Sequence, residues 1–385
     1  MSAFLHLFDH LDQIEAMAGE WMAFSKRCRL AAPFCGPLAW IAWFRAHPGL
    51  QPAVYEWREA GELRALVPLY RRGHRLEMAA SPHLDYQDVA ATDTDTAVSA
   101  LLAIATREGG SSSLVFPKVA AGSRLEGALE DPRIAAGTHH EARYWSFCTV
   151  ANLTSSSDRD FFQAIPARQR KDYRNATRRI AEAFPGHVVE HHGPGQFPAE
   201  LIDEIAILHR ANQYRKKGES VFADPAYLRF LKEQAGSPVP LCLSLIREST
   251  GGPLMAFHLG YFSGGTFYYY VTSYGAGYGH LSPGRWLLVD ALRHWHAHSG
   301  GGALRLDLLC GEEDYKSRWS TEGYEVSRVV LIPKRLLNLP RILAYSAVYG
   351  LKNAKNRHLL GRHSGGRPDG GRTPRPEPGD VVLPG

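Results

Sequence analysis

The order of segments between His187 and Ile332 constrains the fold of this chain more than any other feature of its sequence. Val239–Arg247 and Leu254–Phe262 alternate as strands do, and Ser263-Gly264-Gly265 turns the chain into Thr266–Thr272 as a hairpin. A glycine-rich loop, a helix at Pro283–His298, a strand at Ala303–Leu309, a short helix at Glu312–Thr321 and a strand at Tyr324–Ile332 follow. Upstream, His187–His191 reads as a strand, Pro198–Lys217 as an amphipathic helix, and Asp224-Pro225 caps a second helix to Gln234. A hairpin that continues through a helix into a further strand predicts an α/β fold, a mixed and mostly antiparallel sheet flanked by helices.

The first half repeats this order more weakly. Leu11–Lys26 and Pro37–His47 read as helices, then Ala53–Arg58, Leu63–Tyr70 and Leu76–Ala80 as strands. Thr96–Arg107 reads as a helix, and Ser112–Phe116 and Arg143–Val150 as strands. Two sheets of one plan are expected, in residues 1–155 and 156–332, which suits 385 residues at about 100–200 per domain. Asp158–Phe184 is a long, basic helical pattern, the expected connector. Residues 333–360 read as a basic amphipathic helix interrupted at Pro340, packed on its own domain or available for peripheral membrane contact. Residues 361–385 are Gly, Pro, Arg and Ser with little to bury, and are expected to be disordered.

Charge and cysteine content exclude several function classes. The net charge is +5, but residues 333–385 hold ten Lys or Arg against three Asp or Glu, a net of +7, which leaves −2 for the body. No DNA-binding surface is expected, because phosphate affinity needs clustered positive charge. The five cysteines Cys28, Cys35, Cys148, Cys242 and Cys310 lie far apart without a C-x-x-C, so neither a disulfide framework nor a metal site is expected. With Asp9, His10, Asp12 and Glu15 near the start and no apolar run approaching about 20 residues, a cytoplasmic protein is expected. P-loop, Rossmann, HExxH and GxSxG motifs are absent.

The chemistry concentrates where Tyr268–Thr272 runs through Ser273–Leu281 into Ser282-Pro283-Gly284-Arg285. Ser282 reads as N-cap, Pro283 as the first helical residue, and Gly284 leaves the first turn bare. Unpaired amides and the helix dipole make such a turn a place for a pyrophosphate, with Arg285 as a charge-assisted contact. Asp307 alternates with Leu306 and Leu308, and an acid within a central strand is paired, here with Arg305 or Arg318, or functional as a base. Glu313, between Glu312 and Asp314, could orient a cationic amine. In the first half, Ser81–Asp88 stands where the second half has its phosphate loop. Asp85, Tyr86 and Asp88 there would repel phosphate and suit an amine or sugar acceptor. In the basic segment from Arg168 to Arg179, Lys171, Arg174 and Arg178 share one helical face that could grip phosphates, and His258 reads as a core histidine.

The hairpin, loop, helix, strand and short helix resemble the acyl-CoA-binding core of GNAT acyltransferases. Tyr268–Thr272, Ser282-Pro283-Gly284 and Leu306-Asp307 through Gly311, Tyr315-Lys316, Arg318 and Trp319 resemble the CelD-like branch, related to the FemABX peptidyltransferases. The resemblance extends through Pro166–Arg179 and more loosely to Trp21, Pro33-Phe34, Pro68-Leu69-Tyr70 and Asp85–Asp88. It implies tandem GNAT-like halves, acetyl-CoA or another acyl-CoA held by the second half beside Tyr270 and Thr272, and an acceptor entering between halves. It also implies Tyr315 as the acid for the leaving thiolate and Lys316 as a stabiliser of negative charge. Tyr274–Leu281 departs from the Q/R-x-x-G-x-G/A loop of standard GNAT enzymes, so an aminoacyl-tRNA donor stays open. The expected function is acyl transfer to a small molecule or polysaccharide precursor. The alternatives are Fem-like aminoacyl transfer to a cell-wall precursor, or a catalytically silent scaffold in envelope polysaccharide synthesis.

Overall fold

The computed structural model describes residues 3–347 except 82, 110, 111, 155–157, 218 and 301. The first half contains β1 (Ala3–Phe8), α1 (Leu11–Ala16), α2 (Ala18–Arg27), α3 (Pro37–Ala46), β2 (Gln51–Glu59), β3 (Glu62–Arg72) and β4 (Arg75–Met78). It continues with β5 (Ala90–Ala91), α4 (Thr94–Glu108), β6 (Ser113–Ala120), α5 (Arg124–Leu129), α6 (Pro132–Gly137) and β7 (Thr138–Thr154). The second half contains α7 (Asp158–Ala164), α8 (Ala167–Ala183), β8 (Val188–His192), α9 (Glu200–Lys217) and α10 (Pro225–Ala235). Then come β9 (Leu241–Arg247), β10 (Leu254–Ser263), β11 (Thr266–Tyr274), α11 (Pro283–His298), β12 (Ala303–Cys310) and β13 (Gly323–Pro333).

Two sheets were expected; the strands form one. Among the described residues it has thirteen strands in the order β1-β2-β3-β4-β6-β13-β7-β12-β11-β10-β9-β8, with β5 against β3. The halves exchange their last strands. β13, from the second half, lies between β6 and β7, while β7, from the first, lies between β13 and β12. Named strands pair in parallel at only two places, β4 with β6 and β11 with β12, each over three residue pairs.

Local chemistry explains where helices start. Asp93 accepts from the Thr96 amide at 2.7 Å to cap α4, and Asp224 accepts from Ala226 at 2.9 Å to cap α10, with Pro225 next. The expected connector helix is broken in two because Pro166 cannot continue α7 and instead precedes α8. The short helix expected at Glu312–Thr321 reduces to a single 3₁₀ turn, Lys316–Arg318. Strand β1 and helices α5 and α6 were not foreseen. Each is six residues long, too short for periodicity to separate from a loop.

One buried cluster crosses the halves and includes Trp21, Phe34, Trp40, Tyr86, Tyr227, Phe257 and Tyr261. Phe34 meets Tyr86, Tyr261 and Tyr268 with ring centroids 5.0 to 5.6 Å apart. Burying each such ring contributes on the order of 1.5–3 kcal/mol. Beyond β13 a helix covers 339–347 with Pro340 in its first turn, and Ile342 and Tyr345 pack on Val115, Val330 and Ile332. Leu337, Leu339 and Leu343 are exposed. Residues 348–360, and all of 361–385, lie outside the described residues. Among the described residues no helix is long and apolar enough to cross a membrane.

Candidate active site

β11 and β12 pair from Thr266–Arg305 to Tyr268–Asp307 and then part. The cause is a bulge in β12. Its register against β7 shifts between Asp307 and Cys310, and Leu309 takes φ +54°, a conformation that L-residues adopt at a cost. Beyond Tyr268 no strand covers this edge of β11 among the described residues, so backbone polar groups there line a cleft of about 560 Å³. Its walls include Tyr269–Tyr274, Leu308 and Cys310, with Ser282–Arg285, Asp85, Glu313, Tyr315 and Lys316.

At α11 the expected cap is corrected. Ser282 occupies the N-cap position through its backbone, its carbonyl accepting from Trp286 at 3.2 Å, but its side chain caps nothing. It sits in the left-handed region at φ +57°, unlike the extended residue of an ordinary cap. Pro283 has no N–H to satisfy, and a Cβ on Gly284 would meet only Tyr274 Cδ1 at 3.9 Å. Gly284 is therefore not demanded by packing; its bare face opens toward the cleft. From beneath, His258 Nε2 donates to the Gly284 carbonyl at 2.8 Å. Burial lowers the His258 pKa to about 3, so the ring is neutral. Arg285 lies 3.6 Å from Asp172 and, with Arg178 and Arg179, lines an adjoining groove of about 440 Å³ beside Ser282. Arg168 and Lys171 remain exposed and line neither space.

Tyr315 lines the cleft, its ring 6.4 Å from Tyr269, and burial raises its phenol pKa so that the proton stays on at neutral pH. Lys316 is buried. Its ammonium donates to the Cys310 carbonyl at 2.7 Å and the Leu309 carbonyl at 3.3 Å and pairs with Glu313 at 3.1 Å, which commits all three donors. It holds the β12 bulge in shape. Gly311, at φ +126°, passes so close that a Cβ there would lie 2.8 Å from Lys316 Nζ. Asp307 does not pair with Arg305 or Arg318: its carboxylate accepts from Tyr324 at 2.7 Å, Tyr86 at 3.3 Å and the Leu309 amide at 2.9 Å, beneath the cleft. Burial raises its pKa against those hydrogen bonds.

Of the acceptor residues expected in the first half, one reaches the cleft. Asp85 lines it, 3.6 Å from Lys118; burial raises its pKa while Lys118, then Lys316, pull it back. Tyr86 is instead buried on Asp307, and Asp88 is buried accepting from the amides of Ala31, Val89 and Leu125. Tyr270 donates to the His83 carbonyl and Thr272 to the Phe257 carbonyl, which fixes the cleft side of β11. Pro82 lies outside the described residues. Sequence reasoning missed Asn212 and Cys310, which also line the cleft. Asn212 donates to Ser273 at 2.9 Å, and its polarity on an apolar helix pattern was the available signal. The Cys310 thiol donates to the Asp85 carbonyl at 3.2 Å, and no sequence signal marked that contact.

A mixed sheet with a parallel pair that splits over an uncapped helix start is the architecture of a GNAT domain. Residues 167–317 match the family model of the acetyltransferase (GNAT) domain. The fold is similar to that of FemX, with TM-score 0.57 at 14% identity, over 86% of this chain and 97% of that one. A conserved protein of unknown function from Bacteroides thetaiotaomicron gives 0.54 at 12% identity over 86% and 100% of the two chains. The C-terminal domain of a putative lysylphosphatidylglycerol synthetase from Agrobacterium fabrum gives 0.53 at 12% identity over 88% and 97%. The chain thus shares the fold of FemX, with the GNAT-domain match lying in its second half. No curated protein matches the sequence.

Proposed function

We propose that this protein is an acyltransferase that uses an acyl-CoA, with acetyl the expected acyl group, to modify an amine or hydroxyl of a small molecule or polysaccharide precursor. The observation that carries this reading is the open start of α11 beside the uncovered edge of β11. The residues fit the donor. The amides of Gly284 and Arg285 at the positive end of the helix suit a diphosphate, and Arg178, Arg179 and Arg285 suit a further phosphate. When bound, an acyl-CoA supplies an activated thioester carbonyl. Amides on the β11 edge can polarise that oxygen. Asp85, a cleft carboxylate of raised pKa, takes the proton of the attacking group, and the neutral Tyr315 phenol returns one to the departing thiolate. Lys316 and Asp307 are positioning residues, the first holding the bulge from above and the second from below.

Calorimetric titration with acetyl-CoA, followed by thiol release over a panel of amino sugars and amines, tests this. Failure of both removes the reading. Likeness to the FemX fold and the missing Q/R-x-x-G-x-G/A loop favour one competitor, aminoacyl transfer from tRNA. Binding of charged tRNA with a steep salt slope, in a protein that ignores CoA, would select it.

A further inference from the structure

A second cavity of about 540 Å³ opens in the first half, over β3, β4, β6, β7 and β13, and the reaction proposed above does not use it. It is cationic. Arg72, Arg75, Lys118 and Arg328 line it against one carboxylate, Glu77, which is buried and accepts from Tyr70 at 2.5 Å. Among the described residues neither Arg72 nor Arg328 forms an ion pair. Arg328 also stands directly across from Arg143 in the β13–β7 register. Opposed like charges on neighbouring strands are unfavourable, and a bound anion would relieve that repulsion. The exposed ring of Trp145 lies in the same cavity, with the Arg143 guanidinium 5.8 Å from its centroid.

The cavity is not isolated from the cleft. Lys118 lines the first, Asp85 lines the second, and their charged ends are 3.6 Å apart. Lys118 further donates to the Leu84 carbonyl at 2.7 Å, while Cys310, on the cleft side, donates to the Asp85 carbonyl. The wall between the two spaces is thus one segment, Leu84–Asp85, braced from both sides.

We infer that this cavity binds the phosphate of a phosphorylated acceptor, with Trp145 covering the ring-shaped group next to it, while the acceptor's nucleophile passes Asp85 into the cleft. Three guanidiniums and an ammonium about one carboxylate match a multiply charged anion, and guanidinium forks match phosphate oxygens in pairs. The acceptor role rests on the transfer reaction proposed above; the anion site does not.

The test titrates inorganic pyrophosphate calorimetrically into the full chain carrying R178A/R179A/R285A, which removes the donor-side cations. Adding R75A/R328A is expected to weaken binding at least tenfold, on the order of 1.4 kcal/mol. R75K/R328K should restore part of it, and succinate should bind more weakly than pyrophosphate throughout. Unchanged affinity in R75A/R328A, or succinate binding as tightly, overturns the inference. Hydrogen exchange on the unsubstituted chain gives an answer even if a variant fails to fold: pyrophosphate should protect β4, β6 and β13, and protection confined to α11 overturns the site. Acetyl-CoA titrated in parallel separates the two proposals. Pyrophosphate bound here without CoA binding refutes the donor reading alone, and CoA binding without an anion here refutes this site alone.

Discussion

Asp93 and Ser282 hold the same place in the two halves, each preceding the helix that joins a parallel pair of strands, and only Asp93 caps its helix. The Asp93 carboxylate accepts from Thr96 at 2.7 Å, whereas the Ser282 side chain accepts from no amide of α11. The first half therefore fills with its own carboxylate the position that the second leaves open. In the proposed reading, this asymmetry is what makes the second half the donor site and leaves the first for the acceptor.

Ser282→Asp brings a carboxylate to the open start of α11, where it repels a diphosphate. Acetyl-CoA affinity should fall by about tenfold or more in calorimetry, since the carboxylate takes the amides and cations that the diphosphate would use. Asp93→Ala should cost about 1 kcal/mol in denaturant melts and leave CoA affinity unchanged. Equal CoA binding by Ser282→Asp and the unsubstituted chain would contradict the donor site.

Tyr315→Phe keeps the ring against Tyr269 and removes only the hydroxyl. Turnover should drop by about a hundredfold with the donor dissociation constant unchanged, as expected when a general acid is lost. A variant that loses donor affinity and keeps turnover would place Tyr315 in binding instead.

In its proposed role as base Asp85 acts in its ionised form, so the rate should fall as the pH drops through its raised pKa. Lys118 is the largest influence lowering that pKa, and Lys118→Met should therefore shift the acid limb of the profile to higher pH. Asp85→Asn should lower turnover by about a hundredfold and flatten the limb. An acid limb unmoved in Lys118→Met would assign it to another group.

His258 stays neutral in the folded chain down to about pH 3, whereas an unfolded histidine takes a proton near 6.5. Between these values the unfolded chain binds more protons, so stability declines as the pH falls from about 6.5 toward about 3. His258→Gln keeps a donor for the Gly284 carbonyl and should lose stability less steeply across this window, as melts at successive pH values will show.

Much of this site could be read from the order of residues. The hairpin, Pro283 and the polar run from Gly311 to Trp319 have local signatures, because turn chemistry and helix starts depend on neighbours in sequence. What could not be read is where side chains go once strands from distant segments pair. Tyr86 and Asp88 look like surface polar residues until β7 and β12 bring Asp307 beside Tyr86, and α5 brings the Leu125 amide beside Asp88. The burial of Lys316 could not be read because the carbonyls that hold its ammonium come from a bulge with no sequence mark. The opposed arginines Arg143 and Arg328 are 185 positions apart, and only the strand exchange makes them neighbours.

That exchange also governs how the molecule can be made and taken apart. β13 emerges last yet closes the gap between β6 and β7, so the early-synthesised portion must wait, with an unsatisfied edge, until residue 333 has left the ribosome. Cutting the polypeptide between residues 154 and 158 would yield two fragments, each missing a central strand, that regain their shape only when mixed.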